Sequence, residues 1–432
     1  MLAALFAAVF ALVGCSDPST DNSNNQRPTE NAFDSPNILL IIADDLGLDA
    51  FSAYGVGQQK AQMPNLEKLA HNGLRFHNFW AYPTCTPTRS SIITGKHAFR
   101  TQVRQVGDVL STNETILQKF IDEKTNGRYS SAVIGKWHLS EDPTHPNTMG
   151  LNHYCGLLSG GVRNYNSWKL TENGRTTRNR EYITTKFTDM AIDWLNKQDK
   201  PWFLWLAYTA VHTPFHLPPS HLHSHTHLID DENAIQNNPL PYYLSMIESL
   251  DTEIGRLLRA IPPTQMDKTV VIFIGDNGSP SEVAQTYEKR KVKGSIYQGG
   301  INVPLVVSGA HVTRVRQVEH ALVSSTDLFA TIAELAGTGV RAIHDSKSIV
   351  PLMSSSKINH RDFIYSELAQ NNRSGYTIRN GQYKYIQYNN TEEELYDLIA
   401  DPFEKNNLIK RSSMELQQAK RVLIEEVNRL RN

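Results

Sequence analysis

Asn37-Ile38-Leu39-Leu40-Ile41-Ile42-Ala43 is an unbroken apolar run that ends on Asp44-Asp45. A run of this length without polar alternation reads as a strand buried on both faces, the pattern of a parallel sheet covered by helices. Runs of similar texture recur at residues 129–134, 202–207, 269–274 and 304–307. Helix-like segments separate them at 64–72 (closed by Gly73), 181–197, 240–261 and 325–336 (closed by Gly337). The alternation predicts an α/β fold, with a large mixed, mostly parallel sheet sandwiched between helices. Beyond about residue 345 the texture changes: 363–368, 375–379 and 383–387 read as short antiparallel strands, and 412–430 as a closing amphipathic helix. A catalytic domain over 36–345 and a smaller C-terminal α+β subdomain over 346–432 are therefore expected.

In open α/β sheets ligands bind beyond the carboxyl ends of the strands, so the polar residues there carry the chemistry. Asp44 and Asp45 follow the first strand, where two adjacent carboxylates repel each other unless a cation or basic side chains neutralise them. Gly275-Asp276-Asn277-Gly278 follows the fourth. Each group alone would be a turn or a helix cap. Together they form a set of hard oxygen donors suited to calcium in preference to magnesium, without the thiolate or imidazole donors that favour zinc. The second strand runs into Gly135-Lys136-Trp137-His138-Leu139 and the third into Tyr208-Thr209-Ala210-Val211-His212-Thr213-Pro214-Phe215. Lys293 lies in Lys293-Gly294-Ser295-Ile296-Tyr297-Gln298-Gly299-Gly300. Singly these lysines and histidines would be solvated loop residues; two of each can cradle a tetrahedral anion.

The run Cys85-Thr86-Pro87-Thr88-Arg89-Ser90-Ser91-Ile92-Ile93-Thr94-Gly95-Lys96 precedes a helix expected to begin near Pro87, whose N-terminus would favour an anion. This run resembles the signature of the type I sulfatases, members of the alkaline phosphatase superfamily in which the cysteine is oxidised enzymatically to formylglycine. The Lys136, His212 and Lys293 motifs follow in family order, and Glu394-Leu395-Tyr396-Asp397 with Asp401-Pro402-Phe403-Glu404 resembles the family's C-terminal subdomain. The resemblance implies that Asp44, Asp45, Asp276, Asn277 and residue 85 bind calcium. It implies that the formylglycine hydrate attacks sulfur, with Lys293 or His212 acting on the leaving oxygen and His138 as the base that releases sulfate. Arg89 would orient the formylglycine, and Lys136 would bind both it and the sulfate. Four positions depart from the family pattern: Thr88, Ser140, Gln298 and Asn302. Thr88 keeps the hydroxyl of the usual serine, whereas Gln298 and Asn302 replace a glutamate and an arginine, so an ion pair bracing the Lys293 loop is expected to be missing.

Residues 1–14 form an apolar run too short to span a bilayer, ending in Leu12-Val13-Gly14-Cys15, which resembles a bacterial lipobox. Signal cleavage, acylation of Cys15 and anchoring to a lipid bilayer would follow, with residues 15–35, rich in Ser, Thr, Asn, Asp and Pro, as a flexible tether. An exported, membrane-anchored enzyme is expected. The three cysteines are at 15, 85 and 155, so lipid on Cys15 and an aldehyde at 85 leave Cys155 without a partner; the alternative is a Cys85–Cys155 disulfide. The 432 residues carry a formal net charge of only −1, so a polyanionic substrate needs a local basic pocket, and no nucleic-acid partner is expected. In His221-Leu222-His223-Ser224-His225-Thr226-His227 an extended chain would put four imidazoles on one face, a second metal site or a loop at the pocket rim.

A sulfatase acting on sulfated polysaccharides or oligosaccharides, matured by a formylglycine-generating or anaerobic sulfatase-maturating enzyme, is the leading expectation. A phosphodiester or phosphonate monoester hydrolase of the same superfamily, and a non-catalytic glycan-binding lipoprotein, are the alternatives.

Overall fold

The computed structural model describes residues 35–370 and 373–432. The signal segment, Cys15 and all but the end of the tether lie outside the described residues. Ten strands form the main sheet: β1 Asn37–Ala43, β2 Gly73–Phe76, β3 Ser130–Lys136, β4 Tyr154–Leu157, β5 Trp168–Glu172, β6 Arg175–Asn179, β7 Trp202–Ala207, β8 Thr269–Gly275, β9 Leu305–Gly309 and β10 Gln317–Glu319. Their order is β10-β2-β9-β8-β1-β7-β3-β4-β5-β6. The central five, β8-β1-β7-β3-β4, run parallel. The apolar run at 304–307 enters as β9, antiparallel to β8, and the hairpin β5–β6 closes the other edge.

The first strand shows why an unalternating run is needed. Ile38, Leu40 and Ile42 pack into one core layer, beneath helices α2 Cys85–Thr94, α3 Leu117–Thr125 and α6 Asp327–Leu335. Leu39, Ile41 and Ala43 point into the other, with α1 Pro64–His71, α4 Ile183–Leu195 and α5 Pro239–Ala260. Every side chain of β1 is buried; Asn37 at its start accepts from Trp202 N (3.3 Å), and a polar residue among the six apolar positions that follow would lose its water without gaining a partner. Among the described residues no helix is long and apolar enough to cross a membrane.

A second, antiparallel sheet consists of β11 Ile364–Leu368, β12 Gly375–Arg379, β13 Tyr383–Tyr388 and β14 Glu393–Asp397. The final helix, α7 Met414–Arg431, covers it with Leu423 and Val427 against Tyr365, Ile378, Tyr385 and Leu395. The other face holds Ile386, Tyr388 and Tyr396 against Ile296 and Tyr297, so the small sheet is a backing for the Lys293 loop.

Candidate active site

Register makes the strand ends converge. Ala43 pairs with Gly275, Ile42 with Ala207 and Gly135 with Ala207, so Asp44, Lys136 and Asp276 leave the sheet at one level. Gly135 is required for this: it has φ +104°, and a Cβ there would lie 2.0 Å from the Ala207 carbonyl oxygen. Asp45 (φ +64°) and His138 (φ +56°) also adopt the left-handed region, a conformation that non-glycine residues hold only where surrounding packing enforces it.

The helix bearing the cysteine starts at Cys85 itself, two residues before the position expected from Pro87, with Thr84 as N-cap. Proline as the third helical residue loses nothing, because N–H groups of the first turn have no acceptor within the helix. All ten residues of α2 are buried, and its polar side chains are tied down: Thr88 Oγ1 accepts from Tyr82 N (2.9 Å), and Ser91 meets Ser325 (2.6 Å). The hydroxyl of Thr88 is thus in use, as its substitution for serine implied.

Three ion pairs frame the centre. Arg89 reaches Asp276 at 2.8 Å, Lys136 reaches Asp44 at 2.5 Å, and Lys293 reaches Asp45 at 2.6 Å. Arg89 also donates to the Lys136 carbonyl (2.9 Å). Asn277 Nδ2 donates to Asp45 (2.7 Å), and His212 Nε2 stands 3.8 Å from the same carboxylate. His138 Nδ1 lies 3.1 Å from Cys85 Sγ, with Thr86 Oγ1 3.3 Å from both ring nitrogens. All ten residues singled out from the strand ends and the cysteine run thus meet in one site. The carboxylates, Arg89 and Lys136 are fully buried, whereas the side chains of Lys293 and His212 are 23% and 20% exposed, so the open side lies by these two.

Burial alone would push Asp44 upward, but Lys136, with His212, Arg89 and Lys293, outweighs it and keeps this carboxyl well below the usual range. Asp276 goes the other way, raised by burial and by Asp44 beyond what Arg89 and Lys136 recover. Burial, then Lys136 and Arg89, depress His138 to about 2, so its imidazole is neutral. Burial also raises the Cys85 thiol, which makes the unmodified side chain a poor thiolate nucleophile.

Asp44, Cys85 and Asp276 present ligand atoms within 4.8 Å of one another, a group of metal-binding type. Two further buried oxygens, Asp44 Oδ1 and Asn277 Oδ1, have no hydrogen-bond donor. Orphaned hard oxygens beside crowded carboxylates fit a divalent cation.

Several contributors gave no signal in the sequence. Gly160 and Gly161 press against the two histidines: a Cβ on Gly160 would sit 2.4 Å from His138 Nε2, and one on Gly161 3.1 Å from His212 Cε1. Tyr243 from α5 donates to the Asp45 carbonyl (2.8 Å). The Lys293 loop is not left unbraced by Gln298 and Asn302. Gln298 N donates to Glu404 (2.6 Å), its Oε1 accepts from Trp80 (2.9 Å), and Glu404 forms a buried ion pair with Lys384. The histidine stretch is not extended, since residues 220–222 make a helical turn, and His225 faces Glu248 at 3.3 Å. Cys85 and Cys155 are both free thiols, which removes the disulfide alternative.

A family model described as Sulfatase matches residues 36–338, and one described as N-sulphoglucosamine sulphohydrolase, C-terminal, matches 285–432. Arylsulfatase J of Mus musculus is 29% identical over 327 residues, 70% of this chain; the chain spans about half of that relative, 52%. N-acetylgalactosamine-6-O-sulfatase of Bacteroides thetaiotaomicron is 24% identical, with 94% of each chain covered. Among solved structures, Ps i-CgsB in complex with k-i-k-neocarrahexaose superposes with a TM-score of 0.77 at 26% identity, covering 90% of this chain and 92% of the other. A structure in complex with its substrate D-glucosamine-2-N,6-O-disulfate gives a TM-score of 0.78 at 20% identity, covering 92% and 98%.

Proposed function

Because the chain belongs to the sulfatase family, we propose that it hydrolyses sulfate esters of sulfated polysaccharides or oligosaccharides, with residue 85 matured from cysteine to formylglycine by a dedicated maturation enzyme. The observation that carries this reading is the buried Asp44–Cys85–Asp276 cluster at the N-terminus of α2, ringed by Arg89, Lys136 and Lys293. Glycan substrates are supported by the relatives, which include an N-acetylgalactosamine-6-O-sulfatase and a protein solved with a carrageenan oligosaccharide.

Asp44, Asp45, Asp276, Asn277 and residue 85 would hold calcium. Bound there, the cation would supply Lewis acidity and a local positive charge, while the formylglycine hydrate would supply the hydroxyl nucleophile. The protein's own groups do the rest. Three carboxylates are already matched by three cationic side chains, so a divalent ion leaves the centre with a net positive charge that draws in an anionic ester. Arg89 fixes Asp276 and the start of β3's exit loop, which holds the donor set still. Lys293 stays an ammonium because Asp45 outweighs its burial, and with His212 it occupies the open side, where the leaving alcohol departs and takes a proton. His138, 3.1 Å from the side chain of residue 85, would take the proton there once the charge of the bound sulfate offsets the depression by burial, Lys136 and Arg89. No imidazole belongs to the metal-type cluster found among the described residues, which weighs against a zinc-dependent phosphoesterase.

Export and acylation at Cys15 are part of the same proposal. A tethered enzyme suits degradation of glycans outside the cytoplasm, and a Cys15→Ser variant should lose radiolabelled palmitate and partition with the soluble fraction. For the catalytic reading, mass spectrometry of the residue-85 peptide from the native host should show aldehyde in place of thiol, and Cys85→Ala should abolish sulfate release. Undiminished turnover by Cys85→Ala would remove both the sulfatase and the formylglycine proposals.

A further inference from the structure

The loop between β4 and β5 passes over His138 and His212 through Gly160 and Gly161, and then forms one wall of a second cavity of about 680 Å³. Volumes of this order hold small-molecule ligands. Arg163 from that loop and Lys169 from β5 line the cavity, together with Ser159, Ser167, Thr176 and Glu141. Both cations are exposed, and among the described residues no hydrogen bond or ion pair engages either side chain.

The hairpin behind them carries an unbalanced charge. Lys169 stands directly opposite Arg178 in the β5–β6 register, a like-charge rung that weakens a hairpin unless an anion sits near it. Arg178 is anchored by two bonds to Ser167 Oγ (3.1 and 2.7 Å), and Ser167 itself lines the cavity. Over residues 163–186 there are six basic side chains, Arg163, Lys169, Arg175, Arg178, Arg180 and Lys186, against Glu172 and Glu181, in a chain whose net charge is −1. Charges on an edge strand also discourage edge-to-edge pairing, which accounts for Arg175. It does not account for Arg163 and Lys169, whose cavity is also lined by Gly161, which packs against His212, and by Leu158, whose carbonyl accepts from His138 N (3.0 Å).

We infer that this cavity is a subsite for a second anionic group of the glycan, a sulfate or carboxylate on a sugar adjoining the one that is desulfated, recognised by Arg163 and Lys169. The inference rests on the sulfatase reading for what enters the main site, and it narrows the substrate from any sulfate ester to a multiply charged glycan. Ser159, Ser167 and Thr176 supply hydroxyls for sugar oxygens, and Glu141 would repel an anion placed too far toward the β3 exit loop.

The test is a comparison of the wild type with Arg163→Ala/Lys169→Ala, both exposed positions, and with Arg163→Lys/Lys169→Arg as a charge-retaining control. Direct binding is measured by calorimetry on oligosaccharides that differ only in the neighbouring sugar, which carries a sulfate, a carboxylate or neither. Turnover is measured in parallel on an aryl sulfate. Affinity for an oligosaccharide with a charged neighbour should fall about tenfold in the alanine pair, the size expected of two partly screened charge contacts. The control should retain it, the uncharged-neighbour ligand should be indifferent, and aryl sulfate turnover should stay within twofold. The sulfate and carboxylate arms show which anion is preferred. Equal affinity of wild type and alanine pair for every oligosaccharide overturns the subsite, as does an equal loss for the uncharged one. A wild type that binds these glycans in the manner described yet releases sulfate from nothing would leave the subsite standing and remove the sulfatase reading.

Discussion

Gly160→Ala is the smallest change that should disable the site without touching a reacting group. The added Cβ would lie 2.4 Å from His138 Nε2, 2.6 Å from Cε1 and 3.2 Å from Cδ2, where ordinary contact begins near 3.4 Å. The imidazole must therefore shift by about 1 Å from the position in which its Nδ1 meets Cys85 Sγ at 3.1 Å. Gly160 does not use the left-handed backbone region, so alanine is admitted by the main chain and the strain falls on the ring. A misplacement of about 1 Å at a catalytic group costs on the order of 100-fold in rate, or about 2.7 kcal/mol of barrier. Gly161→Ala provides the scale: its Cβ would meet His212 Cε1 at 3.1 Å, so a shift of a few tenths of an ångström suffices. That variant should lose about threefold or less. With an aryl sulfate, Gly160→Ala should lower kcat and KM together and leave kcat/KM nearly unchanged, and a rapid-mixing trace should show a burst of phenol followed by a slow phase, since the proton proposed to go to His138 belongs to sulfate release. If Gly160→Ala is folded, melts within a few degrees of the wild type and keeps kcat within threefold, the role given to His138 is wrong.

Treatment with a chelator should abolish turnover and lower Tm, and calcium should restore both better than magnesium; a cation at 100 times its Kd stabilises by about 2.7 kcal/mol, read as a Tm shift that Asp44→Asn should lack. Glu404→Ala should destabilise by about 3–5 kcal/mol in urea titrations, because it strands the fully buried Lys384, and the double variant with Lys384→Met should recover much of that loss. His97 is buried, and burial depresses it to about 4 against 6.5 in the unfolded chain, so between those values the unfolded state binds the extra proton and stability falls as pH drops. The loss amounts to about 3 kcal/mol by pH 4, and His97→Gln should flatten the slope of unfolding free energy over that window by up to one proton.

What was legible in the sequence was whatever depends on neighbours along the chain. The strands at 37–43, 202–207 and 269–275 announce themselves because both faces are buried, and a buried strand tolerates no polar interruption. The edge hairpin gave no such sign: four of the five residues of β6 are exposed, and Arg175-Thr176-Thr177-Arg178 carries no apolar alternation to read. The same logic separates the site residues. Asp44, Lys136 and Asp276 stand where a strand stops, and His212 follows shortly after one, so strand and motif point to one place. Gly160 and Gly161 act only through His138 and His212, and Glu404 only through Gln298 and Lys384, partners that the fold alone brings near. Alternation in the histidine stretch misled for the converse reason: a local period presumes an extended chain, and the turn at 220–222 with the pull of Glu248 on α5 denies it.

The centre is also where the chain departs from what stability alone would select. Two non-glycine residues hold left-handed backbone, two buried oxygens lack donors, and Asp276 is raised by burial and by the carboxylate next to it. Around the centre the sheet carries apolar side chains on both faces, and hydroxyls along α2 are satisfied. Left-handed residues and donorless buried atoms occur elsewhere among the described residues too, but here they coincide with a cluster of facing carboxylates, the mark of a site held for its chemistry. Two of these conflicts are relieved by the same addition: a divalent cation gives the orphaned oxygens a partner and separates the charges of Asp44 and Asp276. The cation is therefore expected to be a structural requirement as well as a chemical one, and its removal should loosen the turns at Asp45 and His138 before it affects the sheet that carries them.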